Sequence, residues 1–208
     1  MLKFGGYMIK KTLLLGPLML ALGAVSLVGL FPQSGNASNT PSATIAEEVY
    51  TGNLVYVGGS RGTVTGTFMM RINSYTPDDE VLRLTRLLQD SKQDALLDVI
   101  GNRKLGTIQI GTNIGQDINA VWVSTGEEGE RKITALSKRW VGFFERRRGT
   151  RSIDYPFTYV ELFVDERGRG DGGLIPAAKV RALGDKTIEV ENFGIYPARL
   201  TNIKRRNK

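Results

Sequence analysis

Neither cysteine nor histidine occurs anywhere in the 208 residues. The first absence excludes disulfides, thiolate nucleophiles and cysteine-ligated zinc. The second removes the general base of a Ser-His-Asp triad, the imidazole metal ligand and the side chain that titrates near neutrality. Any catalysis must therefore rest on carboxylates, Lys, Tyr, Ser or Thr, or on a borrowed cofactor. A Walker loop is missing too, as is a Gly-rich dinucleotide fingerprint between a strand and a helix. No cofactor and no metal are expected.

Long apolar runs are also scarce, and the one present stands at the start. Lys3, Lys10 and Lys11 precede an uncharged stretch from Thr12 to Phe31, and the small residues Gly35 and Ala37 follow it. That order is the pattern of a secretory signal peptide, here residues 1–37, with Met1 or Met8 as its start. Export to the periplasm or the medium is the expectation. The alternative is an N-terminal membrane anchor, since ~20 apolar residues cross a bilayer, although Gly16, Pro17, Gly23 and Gly29 weaken such a span. The formal charge of +7 loses the three lysines of this segment and falls to +4, an ordinary surface balance for a soluble domain.

Residues 38–48 are small, polar and without period, which reads as a flexible leader. One domain is expected over 49–204, carrying a helical hairpin at 77–101, with 205–208 as a basic tail. Period-two alternation marks strands at Tyr50–Val57 and Gly62–Tyr75, joined by a turn at Gly58–Gly62. Thr76-Pro77-Asp78-Asp79-Glu80 then opens a helix. Thr76 suits the N-cap, Pro77 the first helical position, and three acids face the positive end of the helix dipole. Val81, Leu84, Leu87 and Leu88 make its apolar stripe, and a second helix runs from a Ser91 cap to Gly101.

Alternation resumes at Leu105–Thr112, Ile118–Thr125, Glu130–Ser137, Trp140–Arg146, Ile153–Asp165, Leu174–Leu183, Thr187–Glu191 and Arg199–Lys204. The short turns between these stretches require antiparallel neighbours, because a parallel crossover needs about a dozen residues or more. The fold class is mainly β: an antiparallel β-barrel or two-sheet sandwich of roughly ten strands with one α-helical hairpin.

Three stretches carry candidate chemistry. Asp165 to Gly173 sets acids among glycines, as a calcium loop does, but Arg167 and Arg169 occupy places where a cation is repelled, so a Gly-rich hairpin loop is expected. The Arg169-Gly170-Asp171 tripeptide inside it is too short a match to carry meaning. A basic run, Lys138 to Arg151, interleaves Trp140, Phe143 and Phe144 with Arg146, Arg147 and Arg148. Together with the Lys204–Lys208 cluster it offers an anion-binding surface, against the plainer reading of a solvated loop and tail. The strand Ile153–Asp165 is apolar on both faces, one face carrying Tyr155, Phe157, Tyr159, Glu161 and Phe163. Such a strand fits a sheet whose second face lies under the helical hairpin or lines a cavity. Glu161 among aromatics would suit a general acid or a grip on a ligand's polar group. Glu189 and Glu191 alternate with apolar residues and read as solvated.

These features point to an exported, non-enzymatic binding or envelope-associated module. Its concrete form holds a small apolar or amphipathic ligand in a barrel mouth lined by Trp122, Tyr159, Glu161 and Phe163. Two alternatives belong to other classes. One is a carboxylate-based hydrolase acting on polysaccharide, which would require a second carboxylate opposite Glu161. The other is a surface interaction protein that binds an anionic polymer or membrane surface. Sequence-specific nucleic-acid binding is not expected.

Overall fold

Each period-two stretch places its apolar residues on one side, and ten strands result in the computed structural model, which describes residues 47–57, 62–139, 151–184, 186–193 and 197–206. In chain order they and the helices are β1 (Glu48–Val57), β2 (Thr63–Ile72), α1 (Asp78–Asp90), α2 (Gln93–Ile100), β3 (Gly106–Ile110), β4 (Gln116–Ile118) and β5 (Ala120–Thr125). Then come β6 (Arg131–Lys138), a 3-10 turn (Arg151–Asp154), β7 (Phe157–Val164), β8 (Arg169–Gly184), β9 (Thr187–Asn192) and β10 (Ala198–Arg206). The segment expected to be a signal peptide, most of the turn expected at Gly58–Gly62, and the stretch holding Trp140 and Arg146, Arg147 and Arg148 lie outside the described residues. No described helix is long and apolar enough to cross a membrane.

All pairings are antiparallel, and one sheet runs in the order β4-β3-β2-β1-β10-β8-β7-β6-β5, with β9 attached to β8. The fold is thus mainly antiparallel β with two short helices, as the periodicity predicts. Its ladder is not closed. The two ends of the path, β4 and β5, follow one another along the chain with Asn119 alone between them. Every strand except β9 sends side chains into one interior core, among them Tyr50, Phe68, Ile108, Ile118, Val121, Ile133, Val160, Leu174 and Leu200. The unclosed sheet therefore folds over on itself, as a sandwich or an open barrel-like form, around an interior filled by side chains.

A second core lies outside the sheet. Val81, Leu84 and Leu88 of α1 and Leu96 and Ile100 of α2 pack on Ala120, Trp122, Leu136, Phe157 and Tyr159, flanked by Ile188 and Val190 of β9. At about 2 kcal/mol for each fully buried Leu or Ile, this packing stabilises the helical pair far more than intrinsic helix propensity does. It also accounts for the two-sided strand: Val160, Leu162 and Val164 point inward, while Phe157 and Tyr159 lie beneath the helices.

Several local expectations give way to long-range interactions. Thr76 does not cap α1. Its N–H donates to the Val121 carbonyl (2.7 Å) and its Oγ1 accepts from Val121 N–H (3.0 Å), so Thr76 serves β5 and leaves Pro77 at the N-cap position without a side-chain bond. Ser91 ends α1 instead of opening α2, whose N-cap is Lys92. The expected strand at Ile153 begins only at Phe157, after the 3-10 turn. The Gly-rich loop is a tight turn at Asp165–Gly168 followed directly by β8. Gly170 lies within the β7–β8 ladder, where a Cβ would come within 1.8 Å of the Phe163 carbonyl oxygen. Glu48, expected in the leader, begins β1, and Arg205 and Arg206, expected in a tail, finish β10.

One ion-pair cluster anchors the start of α1. Glu80 accepts from Arg83 (2.6 and 2.8 Å) and from Arg103 (2.6 Å), which lies just before β3. The Arg83 hydrogen bonds, joined by those from Arg103, outweigh the effect of burial and hold the Glu80 carboxyl at about 2. A carboxyl depressed by folding stabilises above its unfolded value near 4.5 and loses that contribution as the pH falls toward 2. Arg83 is more than half exposed (55%), so screening reduces the effect to about 1 kcal/mol. Glu80→Gln is expected to lower the urea midpoint at pH 7, and the difference from wild type should shrink between pH 5 and pH 3. A pH-independent difference would show that the loss is not ionic.

Candidate functional site

Inward residues of the sheet leave their neighbours on the outer face, and on β10 that face is cationic. Ala198, Leu200 and Ile203 point inward, while Arg199, Lys204 and Arg206 stand exposed outside. β10 pairs with β8 so that Lys204 lies directly opposite Arg169, also exposed. Like charges opposite one another across a ladder repel. None of these four cations has an ionic or hydrogen-bonding partner for its side chain among the described residues. Two acids of the same turn and strand bond backbone and not these cations: Asp165 Oδ1 accepts from Arg169 N–H (2.8 Å) and Asp171 Oδ1 from Asn202 N–H (3.2 Å).

Beside this band the ladder is interrupted. Thr51 pairs with Lys204 and Asn53 with Thr201, so three steps on β10 match two on β1, the signature of a β-bulge. Asn202 occupies the extra place with φ +55°, a left-handed conformation that Asn tolerates better than most residues. Gly52 faces the bulge. A Cβ there would lie 2.6 Å from Ile203 Cδ1 and 2.8 Å from the Thr201 oxygen, so only glycine leaves the bulge its room. On the outer side a groove of about 470 Å³ crosses β10, β1, β2 and β3, with Thr51, Asn53, Thr67, Gln109, Asn202 and Lys204 along it and Met69 between them. None of these six polar side chains has a hydrogen-bond partner among the described residues.

A different polar cluster sits where β1 begins. Glu48 accepts from Tyr50 (2.6 Å), Tyr75 (3.0 Å) and both terminal nitrogens of Arg131 (3.1 and 3.2 Å). Burial raises the Glu48 carboxyl, and the hydrogen bonds from Tyr50 and Arg131 more than offset it, leaving a net value below the ordinary one. Burial first, then the adjacent Glu48, pushes the Tyr50 and Tyr75 hydroxyls well above the usual phenol range. Glu48 is thus a carboxylate saturated by donors and the tyrosines are permanent donors. The cluster ties β1 to β6 and holds neither a free base nor a free acid.

The residues singled out from the sequence fall into three groups. Trp122 and Tyr159 are packed in the second core, and the space beside Trp122 measures only about 20 Å³. Glu161 and Phe163 share their strand face but are half-buried beyond the helices. Glu161 accepts from the Tyr159 hydroxyl (2.8 Å) and pairs with Lys132 (3.1 Å), which also lies over the Phe163 ring at 5.1 Å. The cross-strand neighbours of Glu161 are Thr134 and Gly173, neither of them a carboxylate. Arg146, Arg147 and Arg148 are outside the described residues. Among the described residues no group of three or more acids is placed to hold a metal ion.

The groove residues Asn53 and Gln109 carry no local signal in the sequence, because they meet only through pairings of strands far apart in the chain. Lys204 and Arg206 are visible there as part of a basic cluster, although β10 places them in a strand beside Arg169. Compared with known proteins, the chain matches no family model, no curated protein and no solved structure.

Proposed function

We propose that this chain is an exported, non-enzymatic β domain that docks onto an anionic polymer through the outer face of β8 and β10. The observation that carries this reading is the band of Arg169, Arg199, Lys204 and Arg206, none of them in an ion pair among the described residues, with two of its cations facing each other across one ladder. A polyanion laid along that face replaces repulsion by attraction and releases its own counterions. Export is read from the three-part segment at residues 1–37. The non-enzymatic reading rests on the two carboxylates nearest to suitable surroundings, Glu48 and Glu161, both of which are spent in internal pairs.

Retention on immobilised heparin tests it. The wild-type domain is expected to bind, and Arg169→Glu/Lys204→Glu to elute at several-fold lower salt. Arg86→Glu/Lys92→Glu changes net charge equally on the exposed side of the helical pair and is expected to elute near wild type. The logarithmic salt slope should fall by about one for each anionic group that the variant no longer neutralises. Equally weakened retention of both variants, or no retention of the wild type, would remove the proposal.

A further inference from the structure

We infer that the groove beside Lys204 is a sugar subsite and that the polymer is therefore an acidic polysaccharide; this rests on the docking reading above. The chemistry begins with the donors and acceptors that the groove leaves uncommitted. Asn53, Gln109 and Asn202 each present an amide with a donor and an acceptor side by side, and Thr51 and Thr67 add hydroxyls that do both. None of these side chains has a partner among the described residues. A phosphate, sulfate or carboxylate offers acceptors only, so a plain polyanion would leave the amide carbonyls of the groove without donors. Sugar hydroxyls supply donor and acceptor together.

Shape and charge agree with that chemistry. The groove of about 470 Å³ falls within the ~300–1,000 Å³ typical of ligand sites. It crosses four strands, and at ~4.8 Å between strands that is about 14 Å, room for a short run of rings in place of a single ion. Half-buried Met69 lies between the polar side chains and gives the C–H face of a ring an apolar surface to rest on. Phe68, the one aromatic among the described lining residues, is buried in the interior core and offers a nucleobase no stacking platform. Lys204 lines the groove and continues into the cationic band, which places an acidic substituent of the sugar chain against Lys204 and Arg169.

The test compares three probes on the full chain: polygalacturonate, which carries carboxylates and hydroxyls, polyphosphate, which carries charge alone, and vesicles of phosphatidylglycerol. Asn53→Ala/Gln109→Ala removes two amides from the outer face, away from both cores. With two hydrogen bonds removed, the affinity for polygalacturonate is expected to drop roughly tenfold or more, while polyphosphate binding changes less than about twofold. Lys204→Glu is expected to weaken both. Circular dichroism and the urea midpoint of each variant establish that it is folded. Polygalacturonate binding unchanged by Asn53→Ala/Gln109→Ala, or polyphosphate or vesicle binding as tight as polygalacturonate in wild type, overturns the sugar subsite and leaves the docking reading standing. Failure of all three probes to bind overturns both.

Discussion

Arg131→Met is expected to destabilise the domain by about 2–3 kcal/mol at pH 7, read from urea unfolding. Arg131 is the only cation bonded to Glu48 among the described residues, and it also donates to the hydroxyls of Tyr50 (3.2 Å) and Tyr75 (2.9 Å). Glu48 is about one-fifth exposed (19%) and Arg131 less than one-third (30%), so the loss sits below that of a fully buried pair. The pH dependence gives the prediction its sign. In wild type Glu48 is held below 4.5, so its contribution is present above that value and lost as the pH falls through the folded value. Without Arg131, burial favours the protonated carboxyl. The penalty is then present at neutral pH and is relieved on acidification. The gap between variant and wild type should close toward pH 4. Glu48→Gln/Arg131→Met should be less destabilised at pH 7 than Arg131→Met alone, because no unpaired charge is left behind. A gap that is constant from pH 7 to pH 4 would rule out the unpaired carboxylate as its cause.

Asn119→Ala is expected to cost about 3 kcal/mol, or roughly 9 °C in Tm for a domain of this size. Asn119 is buried and stands at the seam of the sheet, where the chain stops pairing with β3 and begins pairing with β6. Its backbone N–H donates to the Leu136 carbonyl (2.9 Å). Its side-chain amide donates to the carbonyls of Arg103 (2.8 Å) and Gly101 (3.4 Å), and its Oδ1 accepts from Lys138 N–H. Alanine takes their side-chain partner from the part-buried Lys138 N–H and from the Arg103 and Gly101 carbonyls, which costs more than the bonds contribute net. Asn119→Asp places an unpaired buried carboxylate against the Arg103 and Gly101 carbonyls, and is expected to be at least as destabilised as alanine near neutral pH and to recover partly on acidification. Thermal denaturation that places Asn119→Ala within about 1 kcal/mol of wild type would show that the seam does not depend on this side chain.

Both positions illustrate what can be read locally and what cannot. The strand at Ile118–Thr125 is visible as a period-two stretch, but nothing in those residues shows that pairing changes partner at Asn119. Glu48 looks like the end of a polar leader, since its partner Arg131 lies 83 residues away. The helical hairpin is legible from its apolar stripe and first-turn acids. Its capping residues are not, because Thr76 finds a stronger use in bridging to β5. The candidate site is legible only as charge: Lys204 and Arg206 are plainly basic, and Arg169 lies in what looks like a loop because Gly168, Gly170, Gly172 and Gly173 surround it. Those at 170 and 172 are strand residues where a Cβ would come within 1.8 and 2.2 Å of carbonyl oxygens on β7.

What the amino-acid sequence determined by itself is the antiparallel β class, the helical pair between the second and third strands, and the alternation that assigns each residue a side of its strand. These follow from hydrophobic period and short turns, which act between near neighbours. Only the tertiary structure decided which sides face one another: the unclosed sheet with its seam at Asn119, the bulge at Asn202, the row from Lys204 to Gln109, and the opposition of Lys204 and Arg169. Strand register depends on partners far apart in the chain, and one extra residue in a strand moves every later side chain to the other face. That is why a chain without cysteine or histidine, whose chemistry must come from ordinary polar groups, shows its binding surface only once those groups are placed side by side.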